Sequence, residues 1–150
     1  MKVHFKDIEN INKENDGSWG TFLYNGEKFT GEVYDTLDNK INWIFDVKNG
    51  LQNGIEKTYQ EGSDVLEQIT ENKDNMQFGV SKEFDEKGNL QSVSVVWNNK
   101  FLKTIFLRGS KPIKKEESYD IYEGKYPEKI IRLLNLTDND LIKYNFEGQL

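Results

Sequence analysis

Gly54-Ile-Glu-Lys-Thr-Tyr59-Gln-Glu-Gly62 returns further along the chain as Gly79-Val-Ser-Lys-Glu-Phe84-Asp-Glu-Lys-Gly88, with one residue added before the last glycine. Within each copy the period is two. Ile55, Lys57 and Tyr59 share one side, as do Val80, Lys82 and Phe84, while Glu56 and Thr58, or Ser81 and Glu83, take the other. Such alternation marks a strand. Glu61-Gly62 and Lys87-Gly88 are turn signals, because glycine tolerates positive φ.

Working outward, four segments close on a matching dipeptide: Asn25-Gly26, Asn49-Gly50, Asn72-Lys73 and Asn99-Lys100. Behind them come Gly31, Gly54, Gly79 and, in the last unit, Thr104. Aligned on the closing Asn, the returning strands place Trp43, Phe45 and Val47 on one face. Their equivalents are Leu66, Gln68 and Thr70, then Val93, Val95 and Trp97, and in the first unit Trp19, Thr21 and Leu23. Each unit is a hairpin too small to bury its own face, so stacked neighbours must do it together. The expected fold is mainly β: an elongated antiparallel meander of repeated β-hairpins in a single domain, 1–150, with the array at about 19–107. Residues 3–11 are expected to form an edge strand or cap.

The pattern fades after Phe106, where Arg108-Gly-Ser-Lys-Pro112 interrupts it. Residues 113–122 read as a strand with Tyr119 and Ile121 on one side. Tyr126-Pro127 opens a helix with the apolar stripe Ile130, Ile131, Leu133 and Leu134. Thr137 is the N-cap of a second short helix through Asp140, Leu141 and Ile142. This strand and short helical cap, about 113–150, are expected to close the open end of the sheet.

The repeat units resemble the MORN-repeat variant of the YwqK-like bacterial antitoxin family: Asn-Gly, a few residues, Gly, a short strand ending in an aromatic, then a glycine turn. Tyr24-Asn-Gly26-Glu-Lys-Phe-Thr30-Gly31-Glu-Val-Tyr34 looks like the start of such an array. The resemblance covers about residues 19–107. Lys73 and Lys100 depart from it in place of the second Gly of Asn-Gly, as does Thr104, so the last unit is expected to be partial or distorted. The resemblance implies a MORN-like fold and an immunity or antitoxin protein that binds and neutralises a cognate toxin by occlusion. It brings no shared catalytic residues and says nothing of the helical tail. MORN-like arrays also serve as protein-binding scaffolds, which is the alternative.

The chain of 150 residues carries 20 Lys and Arg against 26 Asp and Glu, a net charge of −6. Residues 61–92 alone carry 3 basic and 8 acidic groups. That argues against direct nucleic-acid binding, which needs clustered cations. It also disfavours an anionic membrane surface. An acidic face suits a basic protein partner, such as a nuclease toxin. The candidate contact residues are Glu56, Glu61, Asp64, Glu83, Asp85 and Glu86. Gly26, Gly31, Gly50, Gly54, Gly62, Gly79 and Gly88 are candidate turn and repeat positions.

Chemistry is thinly represented. Cys is absent, which removes thiolate ligands and a Cys nucleophile. His4 is the sole histidine and reads as a strand residue. Asp138-Asn-Asp140 lacks the glycine and distal glutamate of a calcium loop, and Gly124-Lys125 has no Walker sequence before it. No enzyme activity, metal or cofactor is expected. Trp19, Trp43 and Trp97 are assigned to the core. Lys57 and Lys82 are expected to lay their stems over the sheet with their amines in water. The early charge in Met1-Lys-Val-His-Phe-Lys-Asp is unlike a signal peptide. With no long apolar run, a cytoplasmic protein without membrane insertion is expected.

Overall fold

The structure is a computed structural model that describes residues 1–14, 18–119 and 125–146. Its strands are β1 (Lys2–His4), β2 (Glu9–Ile11), β3 (Thr21–Tyr24), β4 (Glu27–Lys28), β5 (Gly31–Leu37) and β6 (Lys40–Lys48). They continue with β7 (Leu51–Tyr59), β8 (Leu66–Lys73), β9 (Met76–Phe84), β10 (Leu90–Trp97), β11 (Lys100–Arg108) and β12 (Lys111–Glu117). Two helices follow, α1 (Glu128–Leu134) and α2 (Asp138–Ile142). Strands β5 to β12 form one antiparallel meander. The short β1 joins its outer edge, parallel to β5. The fold is therefore mainly β, built of hairpin repeats with a short helical cap.

The first hairpin departs from the expected array. Strands β2, β3 and β4 form a separate sheet folded onto one face of the large one. Phe22 and Phe29 of this small sheet are buried against Val33, Phe45 and Val47. A hairpin with only two residues in β4 has too little ladder to extend the meander, and its aromatics find more burial on the face.

Register fixes which residues share a face. One row runs Tyr34, Ile44, Lys57, Ile69, Lys82, Val93, Ile105 across successive strands; we term this the helix face. The neighbouring row runs Val33, Phe45, Glu56, Thr70, Ser81, Ser94, Thr104 on the opposite, hairpin face. Each face has its own core. The small sheet covers the hairpin face at β5 and β6, and the two helices cover the helix face at β9 to β11.

This register corrects the stripe expected from sequence. Trp43, Phe45 and Val47 share a face with Gln68 and Thr70, but also with Ser92 and Ser94. Val93, Val95 and Trp97 point the other way. The cause is the turn. The hairpin turns are Asn25-Gly26, Asp38-Asn39, Asn49-Gly50, Asp74-Asn75, Asn98-Asn99 and Gly109-Ser110, all with positive φ at both positions. Such turns match the twist of the strands they join. The last repeat turns at Asn98-Asn99, one residue before the dipeptide used in the alignment, and one residue of slip exchanges the faces.

Lys73 and Lys100 are consequently strand residues, and the second turn positions belong to Asn75 and Asn99. Each Asn tolerates positive φ and links its turn to the strand beside it. Asn75 Oδ1 accepts from Gln52 N at 2.7 Å, and Asn99 Oδ1 accepts from Gln77 N at 3.0 Å. Nor is the last unit partial. The β10–β11 hairpin is full length with a bulge near Val95, and Thr104 lies in regular register opposite Ser94.

Arg108 to Pro112 do not end the meander: Gly109-Ser110 is another two-residue turn into β12. Tyr119 packs against the core of the helix face, while Ile121, Tyr122 and Gly124 lie outside the described residues. Thr137 caps α2, its Oγ1 accepting from Asp140 N at 3.1 Å. The helices lie on the face of the sheet and leave its end open. Ile130, Leu133, Leu134 and Leu141 are buried over Val80, Val93, Val95 and Ile105, whereas Ile131 is exposed. The open edge is β12, exposed along its length, where Pro112, Lys114 and Lys115 discourage further strand pairing.

Candidate functional site

The meander puts its turns at two ends of the sheet, and the longer loops share one of them. Residues 60–65 join β7 to β8 and residues 85–89 join β9 to β10. The loops touch: Gln60 Nε2 donates to the Asp85 carbonyl at 3.3 Å, and Val65 lies against Gly88. Glu61, Asp64, Asp85 and Glu86 therefore stand together on adjacent hairpins. Asp38 in the β5–β6 turn, beside Gly62, adds to them. Asp64 is exposed and pairs with Lys40 at 3.5 Å.

Asp85 has a second task. Its Oδ1 accepts from Asn89 N at 2.8 Å and from Lys87 N at 2.9 Å, which shapes the loop. The Asn89 bonds, joined by that of Lys87, hold its carboxyl below the usual carboxylate range.

The two remaining acids lie elsewhere. Glu83 is exposed on the hairpin face of β9. Glu56 is half-buried on that face, where its Oε2 accepts from Trp43 Nε1 at 2.7 Å and its Oε1 from Asn72 Nδ2 at 3.2 Å. Both oxygens of Glu56 are committed to the fold.

Gly26 and Gly50 occupy second positions of hairpin turns, and Gly62 and Gly88 lie in the longer loops. Gly31 opens β5 against the Met1 backbone. Gly54 and Gly79 sit in matching bulges. Residues 53–55 stand opposite Asp46, and residues 78–80 opposite Glu71.

The other half of the helix face, over β5 to β7, is an open groove of about 720 Å³. Its floor includes Ile44, Ile55, Lys57 and Tyr59, and Phe146 stands at its border with the helical cap. Asp64 belongs both to the groove and to the acidic end. Asp46 lines the groove as well. Burial pushes its carboxyl up, with help from Glu32, against the opposing Ile55 N–H and Lys57.

Sequence reasoning missed this groove and misplaced one amine. Lys82 is buried, with Nζ donating to the carbonyls of Ile142 at 2.8 Å and Tyr144 at 3.0 Å rather than to water. Burial lowers its pKa. Lys103 and Lys115 reach Asp138 at 3.4 and 3.5 Å, and Lys129 pairs with the buried Glu71, so the cap is tied down by charge as well as apolar contact.

Trp43 and Trp97 are half-buried in separate cores, and Trp97 meets Tyr126 edge-on at 5.2 Å. Trp19 stacks on Trp43 at 6.2 Å but remains 37% exposed, at the border of its core. His4 in β1 lies 3.3 Å from Thr36 Oγ1 and 3.6 Å from Asp35. Among the described residues no group of three or more His, Asp or Glu could hold a metal ion, and no helix is long and apolar enough to cross a membrane. Comparison with family models, with curated proteins and with solved structures returns no match.

Proposed function

We propose that this protein is a non-enzymatic immunity or antitoxin protein of the bacterial cytoplasm that binds a cognate toxin with a basic surface and neutralises it by occlusion. The observation that carries this reading is the convergence of Glu61, Asp64 and Glu86 on two touching loops at one end of the sheet. These carboxylates stand exposed on turns, Asp64 in a surface pair with Lys40, whereas Glu56 is bound within the fold. A nuclease holds phosphate in a cationic cleft, and an acidic protein end covers such a cleft with favourable long-range steering. The repeat pattern, with its likeness to bacterial antitoxins, supplies the biological class.

Co-expression with the product of the adjacent gene tests the proposal. The two proteins are expected to co-purify, and growth arrested by the partner is expected to resume. Co-purification without rescue of growth would favour the scaffold alternative. Neither co-purification nor rescue would contradict both.

A further inference from the structure

The helix face repeats itself, and the described residues fill only one half of it. Lys57 and Lys82 each follow a bulge glycine by three residues. Lys82 stands in its row between Ile69 and Val93, with Val80 beside it on β9. Lys57 stands between Ile44 and Ile69, with Ile55 beside it on β7. Around Lys82 the chain docks its own α2 and the residues behind it. The amine takes the carbonyl of Ile142, the last residue of that helix, and that of Tyr144 two residues on, and lies 5.7 Å from the centre of the Phe146 ring. Lys57 has the same kind of apolar neighbours, yet among the described residues its amine makes no hydrogen bond or ion pair, and the groove lies above it.

We propose that the open half of the helix face is a docking site for an amphipathic helix of a protein partner. The helix sets its apolar stripe on Ile44, Ile55 and Tyr59 and its C-terminal carbonyls over Lys57, as α2 does over Lys82.

Three features select this occupant. Lys57 is two strands from Lys82, or roughly 9.6 Å at normal strand spacing, and packed helices lie about 8–10 Å apart. A second helix thus fits beside the cap without displacing it. Phe146 faces both sites, touching Lys82 and bordering the groove, so the new contact would continue the existing layer of helices. Lys57 supplies the local charge, since the C-terminus of a helix carries partial negative charge; the rest of the lining is mixed, with Lys2 and Lys40 set against Glu32, Asp46 and Asp64. The inference rests on the repeat geometry and does not depend on the partner being a toxin.

Methyl NMR on the full chain, titrated with a synthetic peptide of residues 125–146, tests it. That peptide carries the sequence that already docks on this type of surface. Saturable shifts are expected at the Ile44 and Ile55 methyls, with binding weakened about tenfold or more by Lys57→Glu and by Ile55→Asp. If Ile55→Asp disturbs the fold, the half-exposed Lys57→Glu carries the test. Absence of shifts would overturn the proposal. So would shifts confined to Val93, Val95 and Ile105, which would mean exchange with the chain's own cap. Concentration-dependent groove shifts without peptide would assign the surface to a second copy and equally overturn it.

Discussion

Asp46 reaches across the sheet to Gly54: its carboxylate accepts the Ile55 N–H at 2.8 Å and stands where a β-carbon on Gly54 would be, 2.5 Å from that position. Glu71 and Gly79 repeat the arrangement one hairpin later, with Val80 N donating to Glu71 Oε1 at 3.3 Å. Both glycines have φ in the left-handed half of the map, at +126° and +134°. The acid satisfies a backbone donor that the bulge frees from the ladder, and the glycine leaves room for the acid.

Gly54→Val and Gly79→Val are each expected to lower stability by about 1–3 kcal/mol, from strained backbone and the displaced carboxylate. Urea denaturation measures this. Midpoints equal to the parent would show that the bulge tolerates a side chain.

Asp46 gives this lock a pH dependence. Its folded-state pKa is raised above 3.8, chiefly by burial. The folded state therefore holds the proton more tightly than the unfolded chain. This contribution to stability is fully present below the unfolded value and is lost as pH rises through the folded one. Asp46→Asn keeps an acceptor for Ile55 N–H and removes the titration. Its stability relative to the parent is expected to improve as pH rises from about 3 to about 7. Parallel stability curves would contradict this.

The cap is expected to be held by its apolar face first. Ile130 is fully buried between α1 and the sheet, so Ile130→Ala is expected to cost about 2–5 kcal/mol. Lys82→Ala leaves the Ile142 and Tyr144 carbonyls without their donor, at about 1–3 kcal/mol. Hydrogen exchange in both variants is expected to rise first in α1 and α2. A uniform rise across β5 to β11 would mean that cap and sheet unfold together.

What the sequence made legible follows the range of the interactions. Gly54 to Tyr59 and Gly79 to Phe84 declare their strands through alternation, and Thr137 declares its helix through capping; these are contacts within a few residues. The facing of Val93, Val95 and Trp97 was not legible, because Asn98-Asn99 and Asn99-Lys100 offer competing turn positions one residue apart and face depends on parity. The move of β3 and β4 onto the hairpin face depends on Phe22 meeting Phe45, which no local pattern records. The same holds for Lys82, whose partners lie about 60 residues away. At the candidate site, Glu61, Asp64 and Glu86 were legible as turn acids. The groove was not, because it joins residues of β1 and of β5 to β8 to Phe146. Glu56 looked like its neighbours, and only the diagonal bond from the Trp43 indole on the adjacent strand sets it apart.

The proposal that the acidic end meets a basic partner is tested most directly by association kinetics. Glu61, Asp64 and Glu86 are the residues to reverse to Lys together, sparing Asp85 because it shapes its loop. Surface changes of this kind usually alter stability by no more than about 0.5 kcal/mol each, so the fold should persist. Rates of binding to the product of the adjacent gene, taken at low and high salt, are expected to show a parent that associates fast and is slowed by salt. The triple variant is expected to associate slowly at both, with dissociation little changed. Equal association rates for the two proteins, with no effect of salt on either, would contradict the account and place the contact away from the acidic loops.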